Sequence, residues 1–169
     1  MRIISHSLVC AALLAGCSAP APVPAGFTPA HAAAISDSVT AVLEEFRLAF
    51  SARDFDRVLQ FYADDPRFRW IEDGEVRYTS KAQLAKALVA FGAPLRSLEI
   101  SFFDPVITPL APGVAAVTTR FAQKITDSSG ATQGFAGAMS MSVIHAEQGW
   151  RFLVGQTSLV IPRPGAVRQ

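Results

Sequence analysis

Two adjacent carboxylate pairs are the residues of this chain best suited to chemistry. They are Asp64 with Asp65, followed by a proline, and Glu72 with Asp73, followed by a glycine. Carboxylates serve as general acids and bases when they lie within reach of a reacting proton. Both settings are also typical of turns, because proline ends a helix and Asp-Gly suits the positive φ angles of a two-residue hairpin. We therefore interpret the first pair as a solvated turn and the second as hairpin residues.

Histidine and cysteine are too sparse to hold a metal ion. Beyond the first seventeen residues the chain contains two histidines, His31 and His145, and no cysteine. Zinc sites need several such ligands close together. The sequence therefore predicts no metal site and no cofactor. His145 precedes a Glu-Gln-Gly turn, which predicts a position at the surface end of a strand.

Arg120 is a charged residue in an otherwise apolar strand. An arginine there either points to solvent or points inward to pair with an acidic group of a ligand. The alternate residues Val117, Thr119 and Phe121 form the more apolar set, and this parity favours an outward Arg120. Because the inward position stays open, Arg120 is kept as a candidate ligand-binding residue.

Length and composition limit the classes of protein to which this chain can belong. The chain has 169 residues, 50% of them hydrophobic, and a formal net charge of +1. This length and hydrophobic content suit one domain with a substantial core. Nucleic-acid binding depends on clustered Lys and Arg, and the sequence has no such cluster, so nucleic acid is excluded as the main partner.

The N-terminus predicts export and a lipid anchor. Residues 8–15 form an apolar run too short to span a bilayer, and Leu-Ala-Gly-Cys at 14–17 resembles the bacterial lipobox. The resemblance implies a signal peptide at 1–16, cleavage before Cys17 and lipid on that cysteine. Ser18, where an Asp would favour the inner membrane, implies the outer membrane facing the periplasm. The alternative is an ordinary secretory signal with an incidental cysteine.

Helical patterns follow a Pro/Ala-rich tether at 17–30. Apolar residues at three- and four-residue spacing predict a first helix over 29–52, broken or frayed at 36–38. Asp54 is the predicted N-cap of a second helix. Ser80 and Gln83 form the capping box of a third.

Strand patterns dominate the rest of the chain. Phe68 and Trp70 alternate with polar residues before the Asp-Gly turn, and a return strand follows at 75–78. Runs at 95–108, 114–125, 132–145 and 150–161 predict an antiparallel meander. Three helices followed by long strands indicate an α+β fold, with a flexible tail at 162–169.

This order of elements identifies a family resemblance. Together with ARDFDRVLQFYADDPRFRW at 52–70 and Gly-Trp-Arg at 149–151, it resembles the nuclear transport factor 2-like superfamily and, within it, the SnoaL-like group. The resemblance covers residues 31–161. It implies a curved antiparallel sheet wrapped around the N-terminal helices, forming a cone-shaped cavity in a cystatin-like roll. Members commonly form homodimers through the outer sheet face.

The residues expected to line such a cavity are aromatic on one side and small on the other. Small side chains at 136, 138, 140 and 142 leave space on the facing strand, so Ser140 is a candidate lining residue. The aromatic wall is Phe46, Phe50, Phe68 and Trp70. Alternatively, the aromatics fill the cone and leave no pocket.

Two further expectations concern the last two strands. Met139, Met141 and Val143 alternate with the small residues and are predicted on the outer face, where they favour a homodimer. Gln156 lies where this family often places a polar group of the pocket. It either orients a ligand or is a buried amide satisfied by the backbone.

The resemblance also bears on catalysis. Steroid isomerases of this superfamily use a carboxylate base, a tyrosine and a protonated carboxyl. Counted from the shared Asp-Asp segment, these positions hold Trp70, Phe46 and Ser140. None of the three can replace the family's group, so no catalytic residue is predicted.

Two functions follow from these observations. The sequence favours a lipid-anchored periplasmic module that binds a small apolar ligand or a protein partner without chemistry of its own. The alternative is a SnoaL-like enzyme, such as an isomerase, cyclase or hydratase, that uses water with Arg120, Ser140 and Gln156.

Overall fold

The computed structural model describes residues 27–160. The predicted signal peptide, Cys17, most of the tether and the tail at 162–169 lie outside the described residues. The elements are α1 (Pro29–Ser51), α2 (Phe55–Gln60), β1 (Arg69–Glu72), β2 (Glu75–Tyr78), α3 (Lys81–Gly92), β3 (Leu95–Ala111), β4 (Val114–Asp127), β5 (Thr132–Ala146) and β6 (Gly149–Leu159). None of the helices in this range has the length and apolar character needed to cross a membrane.

The first helix is continuous, so the predicted break at 36–38 is wrong. Thr28 caps α1, and Pro29 occupies its first turn, where the missing N–H costs nothing. The hydroxyls of Ser36, Ser38 and Thr40 donate to the carbonyls four residues earlier, at 3.1, 2.7 and 2.8 Å. Because these polar groups are satisfied within the helix, they do not interrupt it.

The predicted caps and hairpin are confirmed. The Asp54 carboxylate accepts from the Arg57 N–H at 3.0 Å at the start of α2. Asp73 and Gly74 have φ angles of 51° and 85°, as the turn between β1 and β2 requires. Ser80 accepts from the Gln83 N–H at 3.3 Å. The Gln83 side chain reaches one residue further back than the usual box and accepts from the Thr79 N–H at 2.8 Å.

The strands form one curved, unclosed sheet in the order β2-β1-β6-β5-β4-β3. The predicted meander is the run β3 to β6, in which all neighbours are antiparallel. The β1–β2 hairpin joins the far side through a parallel pairing of β1 with β6. The fold is therefore α+β, as predicted, with one parallel pair in an otherwise antiparallel sheet.

The core lies between α1 and the inner face of the sheet. Val39, Leu43, Phe46 and Ala49 are the buried residues of α1, and their three- and four-residue spacing places them on one side of the helix.

The predicted faces of β5 are reversed. Met139, Met141 and Val143 are 6%, 4% and 0% exposed and belong to the core, whereas Ser140 between them is exposed. The partner of Met141 on β4 is Val117, itself 1% exposed. Bulky apolar residues of both strands thus face α1, and the small residues form the outer face.

Both edges of the sheet are irregular or charged. The β2 edge is four residues long, and its Arg77 and Glu75 form an ion pair at 3.1 Å. The β3 edge contains Pro105 and Pro109, and its register with β4 shifts between Phe103 and Val106.

Candidate functional site

A cavity of about 320 Å³ opens at one end of the cone. It lies between α1, α3, the β1–β2 hairpin and the inner face of the sheet. Aromatic rings form a large part of its wall, among them Phe46, Phe50, Trp70, Phe91, Phe121 and Phe135. Such a mostly apolar concave surface has the character of a small-molecule site.

The other end of the cone is filled by aromatic side chains. Phe68 and Phe152 are 0% and 1% exposed. Phe152 packs against Phe46 and Tyr62 with ring centroids 5.3 and 5.4 Å apart. Tyr62 in turn contacts Trp70 edge-on at 5.2 Å. Both sequence alternatives thus hold in part, because aromatics fill one end and line an open space at the other.

Trp70 reaches the cavity because its partner in β6 is glycine. Gly155 pairs with Trp70 across the parallel ladder. A Cβ atom at Gly155 would lie 2.0 Å from the Trp70 ring. The indole therefore rests on bare backbone, and the lack of a side chain at 155 sets its position.

The structure divides the predicted lining residues between two faces. Phe46, Phe50 and Trp70 line the cavity, whereas Phe68 is enclosed in the core. The remaining three contribute to a shallow depression of about 310 Å³ on the outer face of the sheet. These are Arg120, Ser140 and Gln156.

Arg120 is exposed, as its strand parity predicted. Its side chain is 71% exposed and forms an ion pair with Asp104, which is 80% exposed. This ion pair is exposed to solvent on the sheet face opposite the aromatic cavity. Arg120 therefore does not point inward to bind a ligand in the cavity. Ser140 and Gln156 are exposed too, so Gln156 is not the buried amide considered above.

Glu72 is a charged residue of the cavity that the sequence did not predict there. It lines the cavity together with Asp73. Burial raises the pKa of the Glu72 carboxyl, while the charge of Arg77 and a hydrogen bond from Trp70 lower it by less. The interpretation of this pair as hairpin residues is sufficient for Asp73, which lies in the turn. It is incomplete for Glu72, which is half-buried in the cavity wall. Strand alternation could have found it, because residues 68, 70 and 72 share one face.

Two tyrosines complete a polar cluster in the apolar wall. Tyr62 and Tyr78 both line the cavity. Burial raises the pKa of each phenol, and the charge of Glu72 raises both further. At neutral pH both phenols are therefore neutral groups able to donate a hydrogen bond, and the neighbouring Glu72 can accept one in its ionised form.

The first carboxylate pair lies in a turn outside the cavity, as predicted, but only Asp64 is solvated, because the Asp65 side chain is 19% exposed. Asp65 accepts from the Arg67 backbone N–H and binds its guanidinium, both at 2.8 Å. These bonds lower the pKa of Asp65 to about 2. Asp64 is exposed. Within residues 27–160 no group of three or more His, Cys, Asp or Glu is arranged to hold a metal ion.

Comparison with known families identifies the class of protein. Residues 39–162 match the model of the SnoaL-like domain. The chain therefore belongs to the SnoaL-like family, within the nuclear transport factor 2-like superfamily. No curated protein sequence matches it.

Solved structures share this fold at low sequence identity. A nuclear transport factor 2-like protein from Salmonella enterica superposes with a TM-score of 0.68 at 15% identity, over 80% of this chain and 99% of its own. A candidate scytalone dehydratase from Novosphingobium aromaticivorans gives 0.71 at 11%, over 80% and 91%. A cystatin-like protein from Caulobacter vibrioides gives 0.62 at 18%, over 75% and 90%. These likenesses establish the cone-shaped fold.

Proposed function

We propose that this domain binds a small, mostly apolar ligand in the cavity at the open end of the cone. The observation that carries the proposal is an open, aromatic-lined space of about 320 Å³ with one half-buried carboxylate, Glu72. This volume is at the lower end of the range for ligand pockets. The ligand is accordingly compact, with an apolar body and a polar group that meets Glu72, Tyr62 or Tyr78.

A pair of alanines on α3 offers a direct test. Ala87 lines the cavity, and Ala90 on the same helix is exposed outside it. N-phenyl-1-naphthylamine, which fluoresces in apolar surroundings, is expected to bind saturably to the wild type. Ala87→Phe should fill the space and reduce binding at least about tenfold, the effect of losing about 1.4 kcal/mol. Ala90→Phe should bind like the wild type, and equal binding by all three proteins would refute the site.

An enzyme is the second candidate, and a specific observation favours it. Glu72 is a carboxylate of raised pKa in an open apolar pocket, beside the neutral phenols Tyr62 and Tyr78. A desolvated base next to hydrogen-bond donors suits proton abstraction in an isomerase or dehydratase. Arg120, Ser140 and Gln156 cannot serve such an enzyme, because they lie on the other face of the sheet.

Base activity can be measured without knowing the substrate. 5-Nitrobenzisoxazole loses its ring C–H proton to a base, the N–O bond breaks, and a coloured cyanophenolate forms. The enzyme hypothesis predicts saturable ring opening that rises as Glu72 ionises and is lost in Glu72→Gln. Asp104→Asn, which removes an exposed carboxylate on the outer face, should retain the activity. Activity unchanged in Glu72→Gln would exclude this base, and so would a wild-type rate no faster than buffer.

The localisation of the protein in the cell envelope is also a proposal. The lipobox at 14–17 supports cleavage before Cys17, lipid on that residue and attachment to the outer membrane facing the periplasm. The test is Cys17→Ser with fractionation of the cell envelope. The variant should leave the membrane fraction, and a signal-cleaved variant that stays membrane-bound would refute the anchor.

The expected homodimer needs a different contact from the one first predicted. Met139, Met141 and Val143 lie in the core, but Phe103, Val106 and Leu110 are 44%, 57% and 54% exposed. They alternate along β3 with Phe102 and Ile107, which pack against the core. We propose that a second copy covers this apolar strip of the outer face.

Two valines of equal exposure test that proposal. Val106 on β3 and Val76 on β2 are each 57% exposed, at opposite edges of the sheet. Val106→Glu should convert a dimer to a monomer in light scattering, because it places a charge in the apolar contact. Val76→Glu should stay dimeric. A monomeric wild type, or a dimer that survives Val106→Glu, would refute this interface.

A further inference from the structure

The charges around the cavity are of one sign. Glu72 and Asp73 line it, and among its lining residues in the described chain there is no Lys, Arg or His. An anionic ligand would therefore meet the half-buried Glu72 and the more exposed Asp73 with no cationic residue in the cavity wall. Such a like-charge contact is strongly disfavoured where water is excluded.

Glu72 has no salt-bridge partner of its own within residues 27–160. The charge of Arg77 acts on it, but the Arg77 guanidinium forms its ion pair with Glu75, at 3.1 Å. The other titratable groups that face Glu72 are Asp73, Tyr62 and Tyr78. A half-buried carboxylate without a cation is costly, so a cationic ligand gains the interaction that the protein does not supply.

The surroundings of Glu72 also suit a cation. Trp70 lies two residues away on the same face of β1, and both residues line the cavity. Tyr78 belongs to the adjacent strand β2, paired with Trp70. Indole and phenol rings attract ammonium groups through their electron-rich faces. Carboxylate and rings together resemble the sites that proteins use for organic cations.

We propose that the ligand of this cavity is a hydrophobic amine whose ammonium group binds Glu72 while its apolar body occupies the aromatic wall. The proposal rests on the proposed binding function and assigns the ligand's chemical class. Neutral ligands of the same shape bind more weakly, and carboxylic acids are rejected.

Three probes of matched shape separate these possibilities. They are 1-naphthylmethylamine, 1-naphthalenemethanol and 1-naphthoic acid, titrated at pH 7 into the purified full-length protein by calorimetry. The amine is expected to bind at least about tenfold more tightly than the alcohol, the difference made by one charge-assisted hydrogen bond. The acid is expected to bind more weakly than the alcohol. This ranking needs no variant.

Variants then assign the preference to Glu72. Glu72→Gln keeps the shape of the side chain. It should weaken binding of the amine about tenfold while changing the affinity for the alcohol less than about twofold. Glu99→Gln, an exposed residue of β3 outside the cavity, should leave all three affinities unchanged. An equal loss for amine and alcohol in Glu72→Gln would overturn the proposed pairing.

The outcomes distinguish the two proposals. If the alcohol binds and the amine has no advantage, or the acid binds as well as the amine, the charge preference is wrong and the binding function stands. If none of the three probes binds, the binding function fails and the inference fails with it.

Discussion

At the scale of the residue, Glu72 combines two roles that its sequence context separates. As the residue before Asp-Gly it belongs to a turn, and as an alternate residue after Phe68 and Trp70 it faces the cavity. The turn signal was predictable because Asp and Gly have specific backbone preferences. The inward position of Glu72 was overlooked because a charged residue beside a turn is usually solvated.

The pH dependence of stability follows from the surroundings of Glu72. Burial raises its pKa in the folded protein, so the folded state holds this proton more tightly than the unfolded chain. The resulting stabilisation is complete below the unfolded-state pKa of about 4.3 and is lost as pH rises through the raised value. Glu72→Gln, which is neutral throughout, should therefore be more stable than the wild type to urea at pH 7.

The same comparison at low pH supplies the check. The advantage of Glu72→Gln should shrink as pH falls to about 4, where Glu72 is also protonated. Glu99→Gln, at an exposed position of β3 outside the cavity, is the control variant. A wild type more stable than Glu72→Gln at pH 7 would contradict the raised pKa.

At the scale of the element, the starts of helices could be predicted because each depends only on residues next to it in the sequence. Asp54 and Ser80 cap helices because short polar side chains satisfy the first N–H groups. The faces of β5 were misassigned because alternation identifies two faces without saying which is inward. That choice is made by pairing with β4 and by packing against α1, which no local pattern contains.

The contact of Gly155 with Trp70 gives a prediction for β6. Gly155→Ala adds a methyl group where the indole ring already lies. Trp70 must move, and overpacking of this kind costs about 1–3 kcal/mol. Urea denaturation should show the loss of stability, and titration of the naphthyl probes should show altered binding because Trp70 lines the cavity. Gly134→Ala, with no atom nearer than 3.9 Å to the added Cβ, is the control.

At the scale of the whole molecule, the order of helices and strands was predictable from sequence, and so was the α+β class. The division of the cone into an end filled by aromatic rings and an end with an open cavity was not predictable. Twelve phenylalanines indicate a large aromatic core, but whether rings fill or line a space depends on how far the sheet curves. The parallel pairing of β1 with β6 is likewise a long-range contact without a local signature.

This partition predicts different effects for two phenylalanines. Phe152→Ala, at the filled end, should cost about 3–5 kcal/mol, because it leaves a cavity in close-packed surroundings. Phe50→Ala should cost less, since this ring already borders open space, and should weaken binding of the naphthyl probes. Urea denaturation and calorimetry measure the two effects. Equal losses of stability would contradict a cone open at one end.

The two edges of the sheet bear on how this domain behaves when crowded. An open sheet edge can recruit strands from other molecules and seed fibres. Here Pro105 and Pro109 remove amide donors from one edge, where the register also breaks, and the other edge is four residues long with Glu75 and Arg77 on it. Neither edge offers a long, regular template. Copies of this domain at high concentration would therefore be protected from edge-to-edge polymerisation.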